Sequence, residues 1–226
     1  MTNRARLIES RVPQPAEGVA LVLHGGGSRR DNAMVSPTQR SVLRMIPIAG
    51  RLARAGRGRL AVFRLLNSTR GWDSRHTPVD DVHWALDRLR ERFGEALPTC
   101  LVGHSLGGRA ALLSADQPAV RSAVALAPWV YETDGDRLDL SARRILVVHG
   151  DRDRIASIDR AEVVASALRR TTDVGFVRVA GGTHAMLRHH HVFDRLAADF
   201  ATATLLGDRP RGAVARVLEG QPLVEV

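Results

Sequence analysis

The stretch TCLVGHSLGG, from Thr99 to Gly108, places a serine between glycines at the end of a short apolar run. Ser105 has Gly103 two residues before it and Gly107 two residues after it, which is the pattern G-x-S-x-G. At a sharp turn from a strand into a helix the serine takes a strained backbone conformation, and only glycine at those two positions leaves room for the chain to turn back. The pattern therefore predicts a strand, a tight turn and a helix in succession, with the Ser105 hydroxyl exposed at the turn.

Three other apolar runs lead into residues that can assist such a serine in catalysis. Residues 18–23 lead into HGGG at 24–27, residues 144–150 into DRD at 151–153, and residues 175–179 into GGTH at 181–184. The reactive side chains thus come in the order serine, aspartate, histidine. A serine hydroxyl is a weak nucleophile unless an imidazole accepts its proton and a carboxylate orients that imidazole. All three residue types are present at the ends of strand-like runs.

These motifs and their order resemble the α/β-hydrolase superfamily, in particular its small serine hydrolases without a lid, such as those similar to dienelactone hydrolase. The resemblance covers the chain from about Gly18 to Gly207. It implies a mostly parallel, doubly wound sheet with helices on both faces. It also implies Ser105 as the nucleophile and His184, directly after the last strand of the pattern, as the base.

The acid of the site has one favoured position and several alternatives. The family pattern H-G-x-x-D matches residues 149–153 and so implies Asp153. Asp151 is the nearest alternative and is otherwise expected to order the turn. A minority of the superfamily carries the acid after the preceding strand, where this chain has Asp134, Asp136 and Asp139.

Acyl transfer also requires backbone amides that stabilise the negative carbonyl oxygen, each worth about 3 kcal/mol. The amide of Leu106 qualifies by its position after Ser105. The segment at 24–27 resembles the H-G-x signature of the family and implies Gly26 as the second donor, with Gly27 as the alternative. His24 is expected to brace this loop by hydrogen bonding.

The substrate cleft is predicted to be open. Only residues 128–143 separate the predicted strand 122–127 from the predicted strand 144–149, which leads to Asp153. This segment is too short for the lid domain of many relatives. Such a cleft suits small or exposed acyl groups. Gly27, Trp72 and Trp129 are the predicted substrate-binding residues and Tyr131 is a further pocket-wall candidate, with ordinary packing of loop ends as the alternative for the tryptophans.

The charge of the chain is a poor guide to its partners. The formal net charge is +9, and all 33 basic residues are arginine, which is typical of a high-GC genome. The arginines are scattered, with no basic tract and no interleaved aromatic residues, so no nucleic-acid partner is predicted. Several arginines lie in loops at the predicted active-site end and suggest an anionic substrate as a hypothesis, namely Arg30, Arg70, Arg75, Arg152 and Arg154.

Length and composition bound the architecture. The chain has 226 residues, of which 44% are hydrophobic, and this predicts one domain at 1–207. For the tail at 208–226 the sequence leaves a flexible segment or a contact in a homodimer open. No apolar run approaches the roughly 18 residues of a membrane span, and no secretion signal is present, so a cytoplasmic protein without a membrane partner is predicted.

Cysteine and histidine usage predicts neither a disulfide nor a cofactor. Cys100, the single cysteine, lies in the run before Ser105 and is expected to pack in the core. His189, His190 and His191 look like metal ligands, but consecutive helical residues point in different directions, so no metal site is predicted.

Periodicity predicts alternating strands and helices, which is typical of a parallel sheet with helices on both sides. Pro47 is expected to kink or split the helix predicted at 39–54, since proline removes a helical hydrogen bond. A proline at the first helical position and two acids mark the start of a helix at Thr77. The predicted strands are 5–12, 18–24, 60–66, the run up to Ser105, 122–127, 144–149 and 174–179, and the predicted helices are 39–54, the helix from Thr77, 106–115, 158–169 and 192–206.

The sequence therefore predicts a serine hydrolase that cleaves a carboxylic ester or thioester of a small-molecule acyl substrate. The alternative is a protein of the same fold that binds a ligand or partner without catalysis. Ser105, Asp153 and His184 together favour catalysis.

Overall fold

The computed structural model of the chain describes residues 5–27, 34–72, 75–94, 97–136 and 138–226. Eight strands form one sheet in the order β1-β3-β2-β4-β5-β6-β7-β8. β1 pairs antiparallel with β3 and every other pair is parallel, which confirms the predicted mostly parallel sheet. The strands are β1 (Arg6–Arg11), β2 (Gly18–Leu23), β3 (Leu60–Leu66), β4 (Thr99–His104), β5 (Val120–Leu126), β6 (Arg144–Gly150), β7 (Asp173–Val179) and β8 (Leu223–Glu225).

Helices cover both faces of this sheet. One apolar layer includes buried residues of α2, α6 and α7, and the other includes those of α3, α4 and α5. Within the described ranges, no helix has the length and apolar character needed to cross a membrane. The helices are α1 (Arg40–Leu43), α2 (Met45–Ala55), α3 (Thr77–Phe93), α4 (Leu106–Leu113), α5 (Ile158–Leu168), α6 (His190–Leu206) and α7 (Gly212–Leu218), with a 3-10 turn at Glu132–Gly135.

The central strands are apolar along their whole length because both of their faces are covered. In β2, Val19 and Leu21 belong to one layer and Ala20 and Val22 to the other, as the two-residue period of a strand requires. Cys100 in β4 is fully buried, as predicted, and burial raises the pKa of its thiol to about 12. The thiol is therefore a packed core group.

The chain breaks where Pro47 predicts a break. A proline ring clashes with the carbonyl of the residue four positions earlier, which is here Leu43. α1 ends at Leu43 and α2 begins at Met45, so that Pro47 lies in the first turn of the new helix. The helix predicted from Thr77 also begins there, and its second acid, Asp81, is buried and accepts hydrogen bonds from the backbone amide and hydroxyl of Ser68.

The segment after Gly207 belongs to the sheet and its covering layer. β8 pairs with residues 176–178 of β7, and α7 lies against β7 with Val214 fully buried. Gly175 of β7 allows this approach, because a Cβ atom there would lie 2.5 Å from Cβ of Val217. The residues for which the sequence left a flexible or dimer-contacting tail open thus form α7 and β8.

Truncation of Val214 tests the packing of α7. We expect Val214→Ala to lower the free energy of unfolding by about 2 kcal/mol, because it removes two buried methyl groups and leaves a cavity. Val163→Ala is the matched control on α5, where Val163 is 47% exposed, and it should cost less than about 0.5 kcal/mol. Denaturant unfolding followed by circular dichroism measures both, and equal effects of the two substitutions would contradict the packing described.

Candidate active site

Ser105 lies at the turn from β4 into α4 in a conformation that few residues adopt. Its backbone angles are φ 57° and ψ −122°. A Cβ atom on Gly103 would overlap the backbone of Gly107, and one on Gly107 would overlap the carbonyl of Leu23 at the end of β2. The two glycines of the motif are therefore required by close backbone contacts, and the turn orients the Ser105 side chain away from the strand.

His184 connects Ser105 to a carboxylate. Its Nε2 lies 2.9 Å from Oγ of Ser105, and its Nδ1 lies 2.8 Å from Oδ2 of Asp153. Asp153 follows β6 and His184 follows β7, so neighbouring parallel strands bring them together at the carboxyl edge of the sheet. Because an ionised carboxylate only accepts, Nδ1–H donates to Asp153 and Nε2 is free to accept the serine proton.

The carboxylate of Asp153 is fully buried and held at both oxygens. Oδ1 accepts hydrogen bonds from the amides of Ile155 at 2.8 Å and Ala156 at 3.0 Å. Burial alone would raise the pKa of Asp153, but hydrogen bonds from His149, from His184 and from these amides outweigh it, so the pKa lies well below its usual range. Asp153 is therefore ionised at neutral pH.

His149 is a buried contact of Asp153 that the sequence did not reveal as such. Its Nε2 lies 3.2 Å from Oδ2 of Asp153 and 3.2 Å from the carbonyl of Ala156, both of which are acceptors. Nε2 thus carries the proton, and its Nδ1 is buried with no hydrogen-bond partner in the described part of the chain. The only sequence signal was the spacing H-G-x-x-D, which places this histidine four residues before the acid.

The other candidate acids have different partners. Asp151 accepts a hydrogen bond from the amide of Gly181 at 2.7 Å and so orders the turn, as expected for the alternative. Asp136 lies 4.0 Å from Arg170, and Asp139 accepts from the amide of Ser141. Asp134 pairs with Arg109, a buried residue of α4. Among the five aspartates considered, all of them described, Asp153 is the one that contacts His184.

A second buried histidine supports the backbone of His184. Nε2 of His104, next to Ser105 in β4, lies 2.8 Å from the carbonyl of His184 and therefore donates to it. The two rings lie 5.0 Å apart between centroids. Burial lowers the pKa of His104 to about 4, so this imidazole is neutral near pH 7.

Gly26 and Leu106 line one small crevice of about 10 Å³, together with His24 and Asn67. The backbone of Gly25 passes beside the serine, since a Cβ atom there would lie 3.0 Å from Cβ of Ser105. His24 braces this loop, because its Nδ1 lies 2.6 Å from the carbonyl of Gly25 and its Nε2 accepts from the amide of Asn67 at 3.2 Å. Burial lowers the pKa of His24, consistent with that acceptor role.

Arg109, one helical turn after Ser105, is a buried cation that the sequence gave no reason to single out. Asp134 accepts two hydrogen bonds from it, at 2.7 and 2.8 Å. The guanidinium carbon lies 4.3 Å from the ring centroid of Trp72 and 4.6 Å from that of Tyr131. Arg109 thus connects the loop after β3 to the loop after β5, and its charge is neutralised within the protein.

The remaining predicted residues lie around this framework. Trp129 contacts Tyr131 at a ring distance of 5.1 Å, and its amide donates to the carbonyl of Ser105 at 3.1 Å. Gly27 is exposed, and a Cβ atom there would meet no heavy atom within 4 Å. Substrate contacts of Gly27, Trp72 and Trp129 stay predictions.

Four of the five arginines proposed to bind an anionic substrate lie among the described residues. Arg30 lies outside the described residues. Arg75, Arg152 and Arg154 are exposed and Arg70 is half-buried. The described ranges contain no group of three histidine, cysteine or acidic side chains arranged to hold a metal ion.

No protein-family model and no curated protein sequence matches this chain. Several solved structures, however, are similar to it over most of its length. Est1E from Butyrivibrio proteoclasticus, with bound ferulic acid, has a TM-score of 0.68 at 12% identity, over 89% of this chain and 96% of that one. An esterase from Pyrobaculum calidifontis has a TM-score of 0.67 at 16% identity, over 89% and 81%. A serine hydrolase homologue from Coxiella burnetii has 0.66 at 17% identity, over 86% and 90%. The chain therefore has the α/β-hydrolase fold predicted from its sequence.

The depressed pKa of His104 predicts a loss of stability in mild acid. Between about pH 6.5 and pH 4 the unfolded chain binds a proton at His104 that the folded chain does not, so the free energy of unfolding falls as the pH falls through that range. From pH 7 to pH 5 this contribution is about 2 kcal/mol. His104→Gln keeps an N–H donor without titrating, and urea unfolding at both pH values should show a pH dependence smaller by that amount. An unchanged dependence would mean that His104 titrates normally.

Proposed function

We propose that this chain is a serine hydrolase that cleaves a carboxylic ester or thioester of a small-molecule acyl substrate through an acyl-enzyme intermediate. The observation that carries the proposal is the continuous hydrogen-bonded series Ser105–His184–Asp153, which begins at a strained turn. A strained serine that contacts an imidazole, itself oriented by a buried carboxylate, is the arrangement that nucleophilic acyl transfer requires.

Acylation begins with attack of Ser105 Oγ on the carbonyl carbon of the substrate. Nε2 of His184 accepts the hydroxyl proton, and the carbonyl oxygen becomes an oxyanion that the amides of Gly26 and Leu106 stabilise by hydrogen bonding. The crevice that both residues line supports this assignment. When the intermediate collapses, His184 returns the proton to the leaving alcohol or thiol, and the acyl group stays on Ser105.

Deacylation repeats these steps with water as the nucleophile. His184 accepts a proton from water, the hydroxide adds to the acyl carbon, and Ser105 leaves with the proton that His184 donates. Asp153 stabilises the imidazolium formed in each half-reaction. Its hydrogen bonds from the amides of Ile155 and Ala156 keep it ionised and fixed in orientation.

Two further observations support an ester-type substrate. Several proteins that share this fold are described as esterases, among them the one from Pyrobaculum calidifontis. The described residues between β5 and β6 contain only the 3-10 turn, which agrees with an open cleft and short or exposed acyl groups. A cytoplasmic location and a homodimer remain predictions from the sequence.

Covalent labelling tests the nucleophile. A fluorophosphonate probe should add the mass of one phosphonyl group to the wild-type protein, since an activated serine oxygen displaces fluoride from phosphorus. Ser105→Ala should give no adduct, and Ser114→Ala is the matched control, because Ser114 is a buried serine at the other end of α4 and its loss should leave labelling unchanged. Intact mass spectrometry measures all three. Folded wild-type protein without an adduct would favour the non-catalytic ligand-binding alternative.

Substitution of the two neighbouring aspartates tests the acid. Asp153→Asn should slow fluorophosphonate labelling and ester hydrolysis by about 10⁴-fold, because an amide no longer holds His184 in the productive tautomer. Asp151→Asn is the matched control and should change the rate less than about threefold, since the carboxylate of Asp151 accepts from the amide of Gly181 and makes no described hydrogen bond to His184. Equal losses in both variants would remove Asp153 from the proposed role.

A further inference from the structure

A groove of about 730 Å³ lies between α2, α6 and the segment that joins α6 to α7. Aspartates 199 and 208 provide the acidic side chains of its lining. Six arginines line the same groove: Arg51, Arg54, Arg57, Arg195, Arg209 and Arg211.

These arginines come from three segments, one of which is far from the other two in sequence. Arg51 lies on α2, Arg195 lies on α6, and Arg211 precedes α7. All six side chains belong to exposed residues. The scattered arginines of the sequence thus become a cluster only when α2 and α6 pack together.

The charge of this cluster is only partly balanced by carboxylates in the described part of the protein, through Asp199 and Asp194. None of the six guanidinium groups has a described carboxylate within 4.0 Å, whereas Arg92 pairs with Glu9 and Arg178 with Glu162 elsewhere on the surface. Asp208 is already engaged, because it accepts hydrogen bonds at 2.7 and 2.8 Å from Arg59, which does not line the groove.

Asp199 is the other carboxylate of the groove, and several arginines face it. Burial raises the pKa of Asp199, while the charges of Arg195, Arg51 and Arg211 act in the opposite direction. One half-buried carboxylate thus faces three guanidinium groups from three segments. Their mutual repulsion favours the binding of a further anion in the groove.

We propose that this groove is a binding site for a polyphosphate group, either as a free anion or as the phosphate chain of a nucleotide. Guanidinium groups bind phosphate oxygens through two parallel hydrogen bonds, and arginine matches this geometry better than lysine. The volume of the groove lies in the range of small-ligand sites, about 300–1,000 Å³. Several phosphates in a row would engage arginines from all three segments.

The site is separate from the candidate active site. α2 ends just before β3 begins, so Arg54 and Arg57 lie near the amino edge of the sheet, whereas Ser105 lies at the carboxyl end of β4. The lining of the groove includes none of Ser105, His184 and Asp153. A strand of six residues spans about 20 Å. The inference therefore does not depend on the proposed hydrolase activity.

Isothermal titration calorimetry with sodium tripolyphosphate, at an ionic strength held constant with sodium chloride, tests the site. We expect saturable binding of one equivalent to the wild-type protein. The triple variant Arg51→Gln/Arg195→Gln/Arg211→Gln should bind at least about tenfold more weakly. The matched control, Arg6→Gln/Arg11→Gln/Arg121→Gln, removes the same charge from exposed residues of β1 and β5 and should bind as the wild type does.

Further titrations separate the effect of charge from that of guanidinium geometry, and a free polyphosphate from a nucleotide. The triple variant Arg51→Lys/Arg195→Lys/Arg211→Lys keeps the charge but loses the planar guanidinium groups, and it should also bind tripolyphosphate more weakly than the wild type. ATP should bind at the same positions if the phosphate chain is recognised. If circular dichroism shows that the triple variant is unfolded, Arg211→Gln alone carries the comparison, since it lies outside the helices.

Three results would overturn the proposal. The first is the absence of saturable binding of tripolyphosphate at constant ionic strength. The second is an equal loss of binding in the control variant, which would indicate a general effect of net charge. The third is binding of a single-stranded DNA oligonucleotide in the groove without binding of tripolyphosphate or ATP, which would indicate a nucleic-acid surface.

Discussion

Three backbone segments meet around Ser105 at distances that exclude side chains, and the rest of the site depends on this contact. The start of α4 lies against the end of β2 at Gly107, and the loop after β2 lies against Ser105 at Gly25. Gly107 leaves no room for a Cβ atom and Gly25 leaves little, so the backbone of the loop and the start of the helix both lie close to Ser105. The same contact holds Ser105 in a conformation that an isolated chain would leave.

Around this turn two buried histidines contact the backbone of His184 and the carboxylate of Asp153. His149 contacts the carboxylate of Asp153, and His104 binds the carbonyl of His184. Each keeps a buried Nδ1 without a partner in the described residues, which is an unfavourable arrangement. A hydrogen bond from a rigid ring, supported by the packed ends of β4 and β6, restrains His184 and Asp153 in return.

Arginine occurs in two contrasting environments in this chain. Arg109 is buried, paired with Asp134 and enclosed by two aromatic rings, so it connects loops without placing a free charge near the serine. The arginines of the groove between α2 and α6 are exposed and lack ion pairs among the described residues. Six of the arginines behind the net charge of +9 thus line one groove, whose described lining does not include Ser105, His184 or Asp153.

The sequence by itself determined the features that depend on neighbouring residues, such as the glycines around Ser105, the break at Pro47 and the spacing from His149 to Asp153. Local sterics and hydrogen bonding control these, so a few residues suffice to predict them. Only the tertiary structure decided which groups meet across the chain. The pairing of Arg109 with Asp134, the place of α7 and β8, and the arginine groove each depend on how helices pack against a completed sheet, and no local pattern records that packing.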